Sequence, residues 1–311
     1  MKVLLLVNPF SSSVTARTRV VIRKALAGDH DVELVETARR GHATRLAQGA
    51  AADGVDVVVV LGGDGTVNEA ANGLAESSTA LAVLPGGSTN VFARTIGLPN
   101  DPVEATAVLL EAMEAGSIRR IGLGSVNGRY YCFHVGIGYD AALVEQVERR
   151  SGLKRWAGHP LFVYAGLSTW FKHYDTRSPH FRVRYPDGEV VSDGYFAVCA
   201  NTNPYTYIGS RPFDIAPEAT LANGLAMVTV RSLRVDRILR VVGRALQGDG
   251  ALARDPAVHY RYDQPGLLVE GIDGKPFPYQ VDGDYLGEIA RLELRHVPDV
   301  MDLVLPVDFE I

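Results

Sequence analysis

The sequence predicts a two-part chain: an α/β doubly wound parallel sheet followed by a mostly antiparallel β half. Three observations carry this. Apolar runs of strand length alternate with helix-spaced segments over the first 115 or so residues, which is the pattern of a parallel sheet with crossover helices. One of these runs is β-branched from Val57 to Val60 and continues apolar in Leu61, as suits a strand buried on both faces. After Arg119 the texture changes to short strand-like segments separated by turn signals.

Taken in order, Val3 to Val7 reads as a first strand, and Asn8-Pro9 followed by Phe10 and three serines as the turn at its carboxyl end. Residues 15–27 carry helical spacing, with Gly28 as the expected stop. Val32 to Val35 is a second strand, followed by Thr37, Gly41-His42 and an alanine-rich helix over 42–52. Next comes the stretch Val55 to Gly73, on which the first half turns. It gives a strand, then Gly62-Gly63-Asp64-Gly65, then Thr66-Val67-Asn68-Glu69, which fits the S/T-x-x-E box that opens a helix. Strand, glycine loop and helix start in that order aim backbone N–H groups at one spot, which suits a phosphate. The glycines are read as permitting positive φ and leaving room for the ligand. Thr79 to Leu84 is a fourth strand, ending in Pro85-Gly86-Gly87-Ser88-Thr89-Asn90. Asp101-Pro102-Val103-Glu104 starts another helix, with an N-cap acid, proline at N1 and an acid at N3.

The second half offers strands near 130–135, 181–185, 195–200, 226–230, 267–272, 279–281 and 290–294, with helical stretches over 140–172 and 234–247. Turn signals include Asn127-Gly128, Pro186-Asp187-Gly188 and Asn223-Gly224. Gly122 to Gly124 marks the domain boundary: residues 1–122 form a nucleotide-binding α/β domain, and 123–298 form the second. The apolar Met301 to Leu305 is expected to bring residues 299–311 back onto the first domain.

Composition narrows the classes. At 311 residues, 47% hydrophobic and 22% charged, the chain can build about two cores. A net charge of −5 argues against nucleic acid as a partner. Cys132 and Cys199 each sit among apolar residues and read as buried free thiols. Met1 to Val7 is too short for a signal or spanning segment, and no 18-residue apolar run occurs, so a cytoplasmic protein with at most peripheral membrane contact is expected. The eight histidines show no zinc-ligand spacing. Neither G-x-x-x-x-G-K-[ST] nor G-x-G-x-x-G after a strand is present. Four loops lie instead at strand carboxyl ends: Asn8-Pro9, Thr37, Gly62 to Thr66, and Gly86 to Asn90. Ligands of open α/β sheets bind at such ends.

Gly62 to Glu69 with Asn72-Gly73-Leu74 resembles the diacylglycerol kinase catalytic family, which includes bacterial lipid kinases and sphingosine kinases. Val7-Asn8-Pro9, Leu84 to Arg94, Phe213 to Ala219, and Val281-Asp282-Gly283-Asp284 extend the resemblance over nearly the full chain. It implies a nucleotide domain and a C-terminal β-sandwich, with ATP and the lipid headgroup meeting between them. By position, Asn8, Thr37, Gly62, Gly63, Asp64, Gly65, Thr66, Ser88 and Asn90 would bind ATP, with Asp64 holding water and Mg²⁺ near the phosphates. Glu69 and Asn72 read as capping and packing residues. Asp282 and Asp284, on a shared strand face or in a turn, are the candidates for the base that takes the lipid hydroxyl proton. Three positions depart from the family pattern: Val91 stands where it has an acid, Asp284 where it has glutamate, and Asn223 where it has aspartate. The last belongs to a structural Mg²⁺ site, for which Thr220, Asn223 and Leu225 are the matching positions.

Basic and aromatic residues (Arg149, Arg150, Lys154, Arg155, Trp156, Trp170, Phe171, Lys172, Tyr174) flank the apolar Leu161 to Leu167 and suit an anionic membrane surface. The expectation is an ATP- and Mg²⁺-dependent lipid kinase acting on diacylglycerol at a membrane surface, a homodimer being one arrangement left open. The alternatives are a kinase of a soluble cofactor such as NAD, sharing Gly62 to Gly65, or a catalytically silent nucleotide-binding protein.

Overall fold

The structure is a computed structural model that describes residues 1–148, 175–248 and 250–311. The basic and aromatic stretch from Arg149 to Tyr174 lies outside the described residues. The chain divides into two units: Met1–Leu123 with Arg129–Cys132 and Val297–Ile311, and Gly124–Gly128 with Phe133–His296. Residues 129–132, expected in the second domain, thus belong to the first.

In the first unit the elements are β1 (Lys2–Val7), α1 (Ala16–Leu26), β2 (Asp31–Glu36), α2 (His42–Ala52), β3 (Val57–Gly62), α3 (Asp64–Leu74), β4 (Ala80–Pro85), α4 (Val91–Thr95), α5 (Pro102–Glu114), β5 (Ile118–Val126, its last residues in the second unit) and β6 (Arg129–Tyr131). The strands run parallel in the order β2-β1-β3-β4. β3 and β4 are buried at every residue, which explains their unbroken apolar runs. Asp101 caps α5 as its sequence demands: Oδ1 accepts from the N–H groups of Val103 (2.8 Å) and Glu104 (3.0 Å). The strand order reverses at β1, so the crevice outside the carboxyl ends of β1 and β3 is the topological switch point, where α/β sheets bind ligands. The return strand pairs with this sheet parallel to β4, Leu303 opposite Leu81.

The second unit holds β7 (His134–Gly138), α6 (Tyr139–Glu148), β8 (Phe181–Arg184), β9 (Val190–Gly194), β10 (Phe196–Ala200), β11 (Thr206–Ile208), β12 (Arg211–Phe213), β13 (Leu225–Val230), α7 (Val235–Gln247), β14 (Val258–Gln264), β15 (Gly266–Gly271), β16 (Phe277–Val281), β17 (Asp284–Ile289) and the first part of β18 (Arg291–Val304). β14-β13-β10-β7-β16-β17 form an antiparallel sheet, and β18-β15-β8-β9 a second antiparallel run. Side chains of the two meet inside, as where the rings of Phe181 and Phe277 lie 5.6 Å apart, giving the layered arrangement expected of a β-sandwich. Cys132 and Cys199 are buried and form no disulfide. No helix among the described residues is long and apolar enough to cross a membrane.

Candidate active site

In the first unit the glycine loops after β3 and β4 lie back to back. Gly86 N–H donates to the Gly62 carbonyl at 2.8 Å. A Cβ on Gly86 would stand 2.8 Å from Gly62 Cα and N, and one on Gly87 would stand 2.8 Å from Gly63 Cα. None of these four glycines has positive φ. Gly86 and Gly87 are required by the close approach of two backbones, and at Gly62 a Cβ would meet the Thr66 side chain at 2.9 Å; left-handed turns, which the sequence suggests, are not the reason.

Asp64 joins the two loops. Its Oδ2 accepts from Val91 N–H and its Oδ1 from Phe92 N–H, both at 3.0 Å. These are the first two N–H groups of α4, whose own N-cap residue supplies no side-chain cap. Asn90, in the left-handed region with φ 52°, shapes the second loop: Oδ1 accepts from Gly87 N–H (2.7 Å), and Nδ2 donates to the Gly87 carbonyl (3.0 Å) and to Asn100 (2.8 Å). Asn8 reaches across from β1, donating Nδ2–H to Thr66 Oγ1 at 2.9 Å. Thr37 is buried at the end of β2, its N–H on the Val7 carbonyl. Ser88 is exposed at the loop tip. Asn8, Gly62, Gly63, Gly65, Thr66 and Asp64 are therefore brought together on one sheet edge. The side chain of Asn90 faces the loop backbone.

Helix α3 opens at Asp64, three residues before the start that a Thr66 cap implies, and its N-cap residue, Gly63, supplies no side-chain cap. The capping box is a misreading. Glu69 instead accepts from the N–H groups of Gly41 (2.7 Å) and Ala43 (3.1 Å), so it caps the neighbouring helix α2. Asn72 packs as expected: Oδ1 accepts from Tyr130 N–H and Nδ2 donates to the Tyr130 carbonyl, both at 2.9 Å. The start of α3, with its dipole and a glycine in place of a capping side chain, is the feature of this unit fitted to a phosphate.

In the second unit, Asp282 and Gly283 are the two central residues of the β16–β17 hairpin. Val281 pairs with Asp284, and φ is 47° at Asp282 and 81° at Gly283. This is the type I′ turn that Asp-Gly favours. Asp282 is buried, and its Oδ1 accepts from the N–H groups of Phe133 and His134, both at 3.0 Å. Asp284 stands half-buried at the head of β17. The two acids thus do different things: Asp282 fixes the turn to the start of β7, and Asp284 is the more accessible carboxylate.

Around that turn lies a buried polar network that local sequence patterns do not reveal. Gln280 is fully buried. Its Oε1 accepts from Gly283 N–H (2.8 Å), and its Nε2 donates to Asp140 Oδ2 (2.8 Å). The Tyr205 hydroxyl donates to Asp140 Oδ1. Burial pushes the Asp140 carboxyl above its usual range, and the hydrogen bonds from Tyr205 and Gln280 pull the other way. The rings of His134 and Tyr205 lie 4.4 Å apart. The signal that could have found Asp140 is Gly136-Ile137-Gly138-Tyr139-Asp140, glycines in a buried strand running straight into a helix with an acid in its first turn.

His134 gives a pH prediction. Burial lowers its pKa to about 3, against 6.5 when exposed. Between those values the unfolded chain binds a proton that the folded chain does not, so stability falls on acidification, by up to about 1.4 kcal/mol per pH unit. Asp140, with its raised pKa, opposes this by taking up a proton in the folded state. Denaturant titrations from pH 7 to 4 should therefore show a shallower acid loss in His134→Gln than in the parent chain, the Asp140 contribution being common to both.

Thr220, Asn223 and Leu225 lie on or beside one turn, but it is closed by its own hydrogen bonds. Asn223 N–H donates to the Thr220 carbonyl (3.2 Å), and Asn223 Nδ2–H to the Glu218 carbonyl (3.0 Å). The three offer no carboxylate to a divalent cation, so this donor set does not fit Mg²⁺. Among the described residues no group of three or more His, Cys, Asp or Glu side chains is placed to hold a metal ion.

Comparison with known proteins accords with this geometry. Residues 2–147 match the diacylglycerol kinase catalytic domain. A diacylglycerol kinase of Bacillus subtilis (strain 168) is 27% identical over 90% of this chain and 89% of its own length. A diacylglycerol kinase structure from Bacillus anthracis str. Sterne superposes with a TM-score of 0.73 at 22% identity, covering 99% of this chain and 98% of the other. An NAD kinase from Archaeoglobus fulgidus, solved with ATP, shares the fold more distantly (TM-score 0.54, 12% identity, 98% and 94% covered). The proteins that this chain resembles are thus named as kinases, and one of them was solved with ATP.

Proposed function

We propose that the protein transfers the γ-phosphoryl group of ATP to the primary hydroxyl of a diacylglycerol, giving phosphatidic acid and ADP. The phosphates would lie at the start of α3, against Gly62 to Thr66. Asp64 is the one acid in the four loops. Mg²⁺ would be held chiefly by the ATP phosphates, with Asp64 as its protein-side anchor, and would neutralise their charge. Asp284 would accept the lipid hydroxyl proton as its oxygen attacks the γ-phosphorus, while Asp282 and Gln280 hold the turn that carries it.

The observation that favours a lipid over a soluble cofactor is helix α7. Its inner face, with Val241 and Ala245, packs into the core, yet Val235 (58% exposed), Leu239 (68%) and Val242 (39%) form an outward stripe at i, i+4 and i+7. Arg234 stands at its N-cap and Arg237, Arg240 and Arg244 lie along it, on a chain whose net charge is −5. An apolar stripe on a cationic helix suits an anionic bilayer. It supports peripheral membrane contact by a cytoplasmic enzyme.

The test is labelled ATP and Mg²⁺ with vesicles containing diacylglycerol or other lipid alcohols, and with NAD in a parallel reaction. Transfer to diacylglycerol is expected. Transfer to NAD alone, or ATP binding with no transfer to any acceptor, overturns the proposal. Leu239→Glu should lower the rate on anionic vesicles by about tenfold or more, because an anchoring leucine contributes on the order of 1.5–3 kcal/mol. The rate on a short-chain, water-soluble diacylglycerol should be unchanged.

A further inference from the structure

We propose that Gln280 and Asp140 are positioning residues for phosphoryl transfer, holding the Asp282-Gly283-Asp284 turn through a hydrogen-bond chain of fixed polarity. The inference rests on the kinase reading of Asp284.

The direction of the chain follows from one donor that cannot be reversed. Gly283 N–H is a backbone donor, so the Gln280 atom facing it at 2.8 Å is the carbonyl oxygen. The Gln280 amide nitrogen must then face Asp140 Oδ2, also at 2.8 Å, and that oxygen accepts. Asp140 Oδ1 takes the Tyr205 hydroxyl proton. Gln280 and Asp140 are both nine-tenths or more buried. Asp140 sits in the first turn of α6, where the helix dipole favours a negative group. Its carboxylate passes directly over β7: a Cβ on Gly136 would collide with Asp140 Oδ2 and with Gln280 Nε2. Glycine at 136 therefore makes the space in which the two side chains meet.

The turn is thereby anchored at both of its central residues. Asp282 is tied to Phe133 and His134 on one side, and Gly283 is tied through Gln280 to α6 on the other. Asp284 follows immediately, so the direction of its side chain depends on this turn. Misplacing a reacting group by about 1 Å can cost two orders of magnitude in rate.

Reversing the bond between positions 280 and 140 tests it. Gln280→Leu removes both bonds and should lower kcat by about 10- to 100-fold with KM for ATP unchanged. Gln280→Glu puts a carboxylate against Asp140, and the rate should fall further as pH rises and the shared proton is lost. Adding Asp140→Asn to it restores all three bonds, with only the one between positions 280 and 140 reversed. The amide introduced at position 140 would then donate to the carboxylate introduced at position 280 and accept from Tyr205, while that carboxylate accepts from Gly283 N–H. The double variant should recover kcat to within about threefold and lose the new pH dependence. Hydrogen exchange of the Gly283 amide reads the same bond without reference to activity. It should be faster in Gln280→Leu and restored in the double variant. A Gln280→Leu enzyme with parent kcat, unchanged Gly283 exchange, or a double variant no better than Gln280→Glu would each overturn the inference. Asp284→Asn, assayed in parallel, separates this from the reading beneath it: if that variant keeps full activity, the assignment of the base is what fails.

Discussion

Asp284→Asn is expected to lower kcat about 10²- to 10⁴-fold while leaving the unfolding midpoint nearly where it was. The factor is what a general base contributes to a proton transfer. Asp284 begins β17 half-buried, and its backbone is already paired with Val281 across the hairpin, so the amide is tolerated by the fold. Asp282→Ala should behave in the opposite way. It removes the acceptor of two buried backbone N–H groups, each of which costs on the order of 1–3 kcal/mol when left unsatisfied, so its main loss is in stability. Initial rates with labelled ATP and mixed micelles, set beside denaturant titrations, separate the two. Asp284→Glu introduces the acid that the family pattern has at this position and should keep activity within about tenfold, since a glutamate on this turn is one methylene longer and no less basic. An Asp284→Asn enzyme with full activity would remove the hairpin from the chemistry.

The reasons that some of this is legible in the sequence and some is not are physical. β3 and β4 announce themselves because a strand buried on both faces has no polar positions to spare. The Asp282-Gly283 turn is also legible, since a type I′ hairpin needs two left-handed residues and Asp-Gly supplies them. Val258–Gln264 escapes a pattern reading because its alternation is blurred: it is edge strand β14, bulged against β13, with most of its middle residues partly or fully exposed. Glu69 misleads because the S/T-x-x-E pattern is local, whereas the N–H groups it satisfies belong to another helix and stand 26 and 28 residues earlier. The glycines of the two loops are conspicuous in the sequence, but their reason is not. At Gly86 and Gly87 what excludes a Cβ is the backbone of the other loop, and the identity of a loop's neighbour is set by strand order. Asp140, Gln280 and Tyr205 carry no local signature as a group. Asp140 and Gln280 are 140 residues apart, and only the pairing of β7 with β16 brings them into register.

Removing the carboxylate of Asp64 is expected to have the largest combined effect, on folding of the first unit and on transfer. Its two oxygens cap the first two N–H groups of α4, and Val91 and Phe92 are buried, so Asp64→Ala strands two donors at about 1–3 kcal/mol each. A loss of about 2–6 kcal/mol should appear in the unfolding free energy. Asp64→Asn keeps one acceptor but turns an amide N–H toward a backbone N–H, so its loss in stability should be intermediate. That variant isolates the chemical role. Assayed well below its unfolding midpoint, it should still lose about 100-fold or more in kcat, because an uncharged side chain no longer stabilises a metal–phosphate cluster. If its rate per folded molecule equals that of the parent, Asp64 is only the tie between two loops. Gly86→Ala makes the same loops fail from the other side. Its methyl group would stand 2.8 Å from the Gly62 backbone, which cannot yield without moving β3 or the start of α3. The prediction is therefore a shared phenotype: weakened ATP binding together with lower stability, from a substitution that adds one carbon and removes no polar group.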